Sequence, residues 1–355
     1  MKRRVTRKIN TGRVVIGGNA PISVQSMTKT DTHDVKGTLK QIKQLEKAGC
    51  ELVRVAVPDM EAAMLLGEIR RKSCVPLVAD IHFDYRLALE SIRQGVDKIR
   101  LNPGNIGGLS QVELVVKAAK KAGIPIRIGI NSGSLEKSLI IKDKAEAMVH
   151  SAVKYIKYFE KLDFFNIVVS LKSTDVNTTI KAYNMLSKKT SYPLHLGITE
   201  AGTKFPGTVK SSVALGALLS AGIGDTIRVS LTASPVEEVK AGFEILKTLK
   251  LRQYGPEIIS CPTCGRCRVD IITIVKQLQE KLEGMSNDYS KLPPVKVAVM
   301  GCAVNGPGEA KDADIGIAAG KASGTLFRKG KIIRKLKEKD FVKTLLIEIR
   351  KMKTP

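Results

Sequence analysis

From residue 20 to residue 232 the chain repeats one pattern eight times, a short apolar run rich in β-branched residues followed by a helical stretch. The runs are PISVQSM, ELVRVAV, PLVADIHF, KIRLNP, IRIGIN, NIVVSLK, PLHLGIT and TIRVSLT. Continuous apolar runs suit strands buried on both faces, and their alternation with helices predicts βα units around a parallel sheet. Eight such units fit a closed (β/α)8 TIM-type barrel better than an open sheet. Gly49, Gly95, Gly123 and Gly222 end helical stretches, where a left-handed residue is expected. No G-x-G-x-x-G follows the first run, which disfavours a Rossmann-type dinucleotide site.

After PVEEVKAGFEILKTLKL, the stretch RQYGPE reads as a linker, so the expected domains are a barrel over 1–255 and a small α+β domain over 256–355. The second domain is expected to hold a helix through IITIVKQLQEKLEG, a strand at VKVAVM, strands around DIGIAAG and TLFRKG, and a terminal helix. Lysines in the KLKEKDFVKTLLIEIRKMK tail are expected on the solvated face of that helix.

Charge narrows the partners. Lys and Arg number 59 against 34 Asp and Glu, a formal net charge of +25, which attracts any polyanion. Aromatic residues make up only 4% and there is no Trp, so the base-stacking platforms of single-strand binders are poorly supplied. Phosphorylated ligands or acidic proteins are the expected partners, not nucleic acid. The basic start lacks an apolar core after it and no run approaches a membrane span, so a soluble cytoplasmic protein is expected.

Four barrel runs carry an arginine inside the apolar stretch: Arg54, Arg100, Arg127 and Arg228. A buried guanidinium is costly unless paired, and several converging on one face offer bidentate forks to phosphate oxygens. Asn102, Asn131, Lys172, His195 and Ser230 lie at or near strand ends, where barrel enzymes place their chemistry. The alternative is that Asp80, Glu200 or other inward carboxylates neutralise the arginines as barrel filler. NPGNIGG and NSGSL are loops able to expose backbone N–H groups to phosphate, or simply to turn. Asp80 and His82 share a strand face; they bind hydroxyls, move protons or bond one another. Glu200, just past the seventh run, is the better candidate acid.

Six cysteines are present. Cys50 and Cys74 stand alone in helix-to-strand connections and are expected to be buried structural thiols. C-P-T-C-G-R-C over 261–267, with Cys302 in C-A-V-N-G-P-G-E, has the spacing of a metal or cluster site. Spacing alone allows zinc or iron–sulfur, with Cys267 as a fourth ligand for zinc.

VQSMT, ADIHFDYRLA, IRLNPGNIG, IRIGINSGSL, HLGITEAGT, GIGDTIRVSLT, CPTCGR and GCAVNGPGEA, in that order, resemble the motifs of the 4-hydroxy-3-methylbut-2-en-1-yl diphosphate synthase family. The resemblance implies reductive ring opening of methylerythritol cyclodiphosphate in isoprenoid biosynthesis, with two electrons passing from ferredoxin or flavodoxin through a [4Fe–4S] cluster. It implies Cys261, Cys264, Cys302 and Glu309 as cluster ligands, the Glu309 carboxylate being the catalytic one because it can give way to a substrate oxygen. Cys267 departs from the family pattern and is expected not to be a ligand, since those four complete the set. The diphosphate ligands would fall on the arginines, Asn131, Lys172 and their neighbours. Residues 233–260 leave no room for the extra domain of larger members, so the two-domain form is implied, working as a head-to-tail homodimer.

Overall fold

In the computed structural model, which describes residues 2–135, 142–285, 292–302, 310–321 and 323–352, the chain divides into two units, 1–252 and 253–355. A hairpin of β1 (Ile9–Thr11) and β2 (Val14–Ile16) opens the first unit. Then β3 (Ser23–Met27), β4 (Leu52–Val57), β5 (Leu77–Ile81), β6 (Lys98–Leu101), β7 (Ile126–Asn131), β8 (Ile167–Lys172), β9 (His195–Leu196) and β10 (Thr226–Ile227) alternate, among the described residues, with eight α-helices. These are α1 (Val35–Lys47), α2 (Met60–Lys72), α3 (Tyr85–Arg93), α4 (Leu109–Ala122), α5 (Lys144–Lys161), α6 (Val176–Ser187), α7 (Lys204–Ser220) and α8 (Pro235–Thr248).

All eight strands run parallel in the order β8-β7-β6-β5-β4-β3-β10-β9, and a parallel bridge from Val169 to Leu194 joins the two ends. The expected (β/α)8 barrel is thus formed. Local sequence sets its punctuation. Asp34, Asp59, Asp84, Asp143 and Asp175 each accept from a backbone N–H in the first turn of α1, α2, α3, α5 and α6, caps worth about 1 kcal/mol apiece. Gly49, Gly95, Gly123 and Gly222 have φ between 70° and 82°, a region costly for residues with a Cβ.

The opening hairpin was not foreseen. Its Ile9 and Ile16 pack on Leu52 and Val168, and the turn needs Gly12, at φ 51°, close against the Asp97 carboxylate. Cys50 is buried, and burial pushes its thiol up to about 12. Cys74 is not buried: Ser73 and Val75 take the inward places beside it, and Glu46 accepts from its backbone N–H at 2.8 Å. The linker starts anchored, since Arg252 donates to Ile22 O at 2.6 Å and pairs with Glu51 at 3.2 Å.

Among the described residues, the second unit is one five-stranded sheet with two α-helices. Strands β11 (Glu257–Ser260), β12 (Lys296–Met300) and β13 (Ile315–Gly320) are parallel, and β14 (Ser323–Arg328) and β15 (Lys331–Lys337) follow antiparallel. Helices α9 (Ile271–Glu283) and α10 (Phe341–Lys351) supply Leu278, Leu282, Phe341, Leu345 and Ile349 to a core with Val297, Ile315 and Ile317. Each such side chain fully buried contributes roughly 1.5–3 kcal/mol. One expectation needs correction here: residues 335–337 of the tail belong to strand β15 and not to the terminal helix. EIIS carries strand β11, on which the sequence reading was silent. Lys329 and Gly330, at φ 47° and 74°, supply the two positive φ values that a tight two-residue hairpin turn requires. Among the described residues no helix is long and apolar enough to cross a membrane.

Candidate active site

Inside the barrel, period-two alternation sends Arg100, Arg127 and Lys172 from β6, β7 and β8 to the interior with Asp80 of β5 and Arg54 of β4. Asp80 is the hub. Its Oδ1 lies 3.7 Å from Arg54 Nη1 and 3.3 Å from Arg100 Nη1, and its Oδ2 lies 3.4 Å from His82 Nε2. Arg100 also reaches His82 Nε2 at 2.8 Å. Burial alone would raise the Asp80 carboxyl, but Arg54, His82 and Arg100 together hold it well below the usual carboxylate range. Arg54 lies against Met27 Sδ at 3.0 and 3.1 Å.

A second group surrounds Glu238 of α8, which is almost fully buried. It receives Arg228 Nε at 3.5 Å, Lys29 Nζ at 3.0 Å, Ser26 Oγ at 3.0 Å and the Leu231 backbone N–H at 3.0 Å. Arg228 is brought down to about 10, by burial first and Arg54 next, against the pull of Glu238 and Asp80.

Deeper, Arg127 spans from β7 to Gln25 Oε1 of β3 at 3.3 Å, and its Nε is buried with no hydrogen-bond partner. Lys98 Nζ and both ring nitrogens of His195 are likewise buried and unpartnered. Burial drives Lys98, Arg127, Lys172 and His195 well below their ordinary values, and like-charged neighbours push the same way. Against Arg54, Lys98, Arg100, Arg127, Lys172 and Arg228 stand, among the described residues, two carboxylates within ion-pair reach, Asp80 and Glu238. The barrel-filler alternative therefore accounts for Arg54, Arg100 and Arg228 in part and leaves the rest uncompensated. A site with this surplus of desolvated cations is built for an anion.

Two glycines make room for it. A Cβ on Gly129 would stand 2.5 Å from Arg100 Nε, and one on Gly197 would stand 2.8 Å from Lys172 Nζ and 2.7 Å from Arg228 O. Gly129→Ala is accordingly expected to displace the Arg100 guanidinium and weaken binding of a diphosphate ligand about tenfold, the equivalent of one charge-assisted contact. Calorimetric titration of the variant checks this; wild-type affinity with a folded barrel would refute it.

The other expected residues are less central. Asn102 is buried and donates to Ser134 Oγ at 3.2 Å, fixing the loop after β7, and its Oδ1 accepts from Gly104 N at 3.2 Å. Asn131 and Ser230 are half-buried. Glu200 is exposed and makes no pair with the arginines; its φ of 53° is the left-handed region, strained for glutamate. Lys98, Gln25, Lys29 and Glu238 were missed. Lys98 stands two residues before Arg100, hence on the same strand face, a signal that was readable.

In the second unit, Cys261 follows β11 and Cys302 follows β12, so adjacent parallel strands bring both to one end of the sheet. Gly301 N–H points at Cys261 Sγ at 3.4 Å. Cys264 is exposed on a turn where Thr263 has φ 66°. Cys267 Sγ instead donates to Val269 O at 3.2 Å and packs on the domain core, and a Cβ at Gly301 would collide with it. Among the described residues no group of three or more His, Cys, Asp or Glu is gathered for a metal ion. Glu309 lies outside the described residues. Two thiols at neighbouring strand ends and a third on the turn that follows the first, with an amide directed at one sulfur, fit a thiolate-held cluster in chemistry.

The GcpE TIM-barrel domain pattern matches residues 6–243, and the GcpE protein C-terminal domain pattern matches residues 257–351. The 4-hydroxy-3-methylbut-2-en-1-yl diphosphate synthase (flavodoxin) of Clostridium perfringens is 56% identical, covering 98% of each chain. That of Thermodesulfovibrio yellowstonii is 57% identical over 99% of this chain and 100% of its own. Among solved structures, Yersinia pestis dihydropteroate synthase superposes with a TM-score of 0.51 at 13% identity, over 68% of this chain and 98% of its own. That likeness concerns the barrel fold alone. With both domain patterns matched in order and full-length relatives above half identity, the chain belongs to the GcpE family.

Proposed function

We propose that the protein is an iron–sulfur oxidoreductase. It converts 2-C-methyl-D-erythritol 2,4-cyclodiphosphate to (E)-4-hydroxy-3-methylbut-2-en-1-yl diphosphate in isoprenoid precursor biosynthesis, with reduced flavodoxin as donor. The observation that carries this reading is the surplus of buried cations over carboxylates in the barrel. The names of the full-length relatives supply the product and the donor.

In this reading Arg54, Arg100, Arg127, Lys172 and Arg228 bind the diphosphate oxygens. Asp80 holds Arg54 and Arg100 in place. Ring opening frees a phosphate oxygen from carbon and adds negative charge to the diphosphate, which the uncompensated cations stabilise as it develops. One hydroxyl leaves as water and needs a proton; Glu200, on a strained loop past β9, is the proposed source. Cys261, Cys264 and Cys302 would hold a [4Fe–4S] cluster, with Glu309 proposed as the remaining ligand. When bound, the cluster supplies the two electrons that the reaction consumes. We extend the proposal to a homodimer in solution, which light scattering tests by mass.

The function is tested by anaerobic reconstitution of the protein with iron and sulfide, followed by the cyclic diphosphate and reduced flavodoxin. Formation of hydroxymethylbutenyl diphosphate supports it, and no product from protein with an intact cluster spectrum rejects it. The ligand set makes its own prediction. Cys267→Ser is expected to keep its iron, because that thiol serves Val269 O and the core, whereas Cys264→Ser should lose most of it. Equal iron loss in the two proteins would make Cys267 a ligand.

A further inference from the structure

The register of the C-terminal sheet connects the cysteine end to a basic edge. Continuing β11 past Ser260, Cys261 falls level with Met300, and the row runs on through Ala318 and Thr325 to Lys335. Two residues further along, Gly320 and Ser323 align with Lys337, and Cys302, two residues past the end of β12, lies beyond the last β12–β13 pair, Met300 with Ala318. The row before that of Cys261 ends at Phe327 and Ile332. Side chains two residues apart on a strand share a face, so Ile332, Lys335 and Lys337 edge the sheet face that carries Cys261. A bulge on β15 between Ile332 and Arg334 puts them there, while Leu336 turns to the opposite face and its helices.

This edge is exposed and of one sign. From Lys331 to Lys337 every residue but Leu336 is exposed, Ile332 at 76%, and the strand holds no carboxylate. Lys335 and Lys337 have no ion-pair partner among the described residues, whereas Arg328 at the hairpin end is paired with Glu348. Lysines on an edge strand also deter edge-to-edge aggregation. That role does not call for an isoleucine left three-quarters exposed beside them. A small apolar contact ringed by cations is the complement of an acidic protein with an apolar centre. Three strand spacings of roughly 4.8 Å separate Lys335 from Met300, the residue level with Cys261, about 14 Å across one rigid sheet.

We propose that this edge, Ile332 with Lys335 and Lys337, is where an acidic flavodoxin docks to pass electrons to the cysteine site. The inference rests on the function proposed above and assigns its donor a surface. Each reduced flavodoxin gives up one electron per docking, so two dockings supply the two electrons of one ring opening.

The test uses the cluster-loaded full chain and titrates flavodoxin into it by calorimetry at low ionic strength. Lys335→Glu with Lys337→Glu is expected to weaken binding about tenfold or more, since like charges placed opposite one another oppose association. A control with the same charge change on the barrel, Lys36→Glu with Lys40→Glu on α1, is expected to shift it less than about twofold. Ile332→Ser, which keeps the charge and the fold, should also weaken binding. Unchanged affinity in both β15 variants, or equal loss in the control, overturns the assignment. Product formation driven by dithionite does not need the dock. If wild type makes no product with dithionite the proposed reaction fails, while the titration still decides the docking surface.

Discussion

Asp80→Asn is expected to cost the substrate-free protein about 3–5 kcal/mol, the loss typical when one partner of a buried ion pair is removed and the other charge remains. The reason is local. Asp80 is the carboxylate shared by Arg54 and Arg100, at 3.7 and 3.3 Å, and Arg127, Lys172 and Arg228 stand around the same interior. Asparagine fills the space without the charge and leaves those cations repelling one another. Inorganic diphosphate should restore more of the melting temperature in the variant than in wild type, because the ligand then supplies the missing negative charge. Thermal unfolding with and without diphosphate measures both effects. A variant that melts with wild type and gains nothing extra from diphosphate would show that Asp80 does not carry this balance.

Lys98→Met is expected to act in the opposite direction, stabilising the free protein by about 1–4 kcal/mol while weakening its hold on the diphosphate. Lys98 is wholly buried, its Nζ has no partner, and Arg127 repels it. The sign of the pH effect follows from its lowered pKa. Between the folded value and the unfolded lysine value of about 10.4, the unfolded chain holds the extra proton, so wild-type stability rises as pH climbs through that window. Lys172 adds to the slope in the same sense, and the raised Cys50 thiol opposes it above its unfolded value of about 8.5. In Lys98→Met the rise of stability with pH on the approach to the unfolded lysine value of about 10.4 should be visibly smaller. Melting at several pH values checks this, together with calorimetric substrate titration. A destabilised variant with unchanged substrate affinity would mean that Lys98 only fills the barrel floor.

Much of this was legible before any coordinates. The eight strands could be read because parallel strands buried on both faces need unbroken apolar runs, and the arginines stood out against them. Glycines ending helices could be read because their φ of 70° to 82° excludes most other residues. Lys98 escaped notice because KIRLN looks like a single charge in a strand, although period two places it beside Arg100 in the interior. Glu238 could not be found by strand logic, since it reaches Arg228 from helix α8. Strand β15 was hidden because KIIRKLK mixes lysines with isoleucines in a way that suits an exposed edge and a helix face equally. The Lys329–Gly330 turn was its local signal. Cys74 was misplaced because composition says nothing of which turn residue faces in; its neighbours Ser73 and Val75 do.

The measurement that tests the central claim most directly is a crystal structure of the protein with the cyclic diphosphate bound. Both phosphoryl groups should lie within hydrogen-bonding distance of side chains drawn from Arg54, Arg100, Arg127, Lys172 and Arg228, with Asp80 still bridging Arg54 and Arg100. Diphosphate bound outside the barrel, for instance in the groove of about 400 Å³ lined by Lys204, Thr208 and Lys240 between α7 and α8, with the barrel arginines untouched, would contradict it.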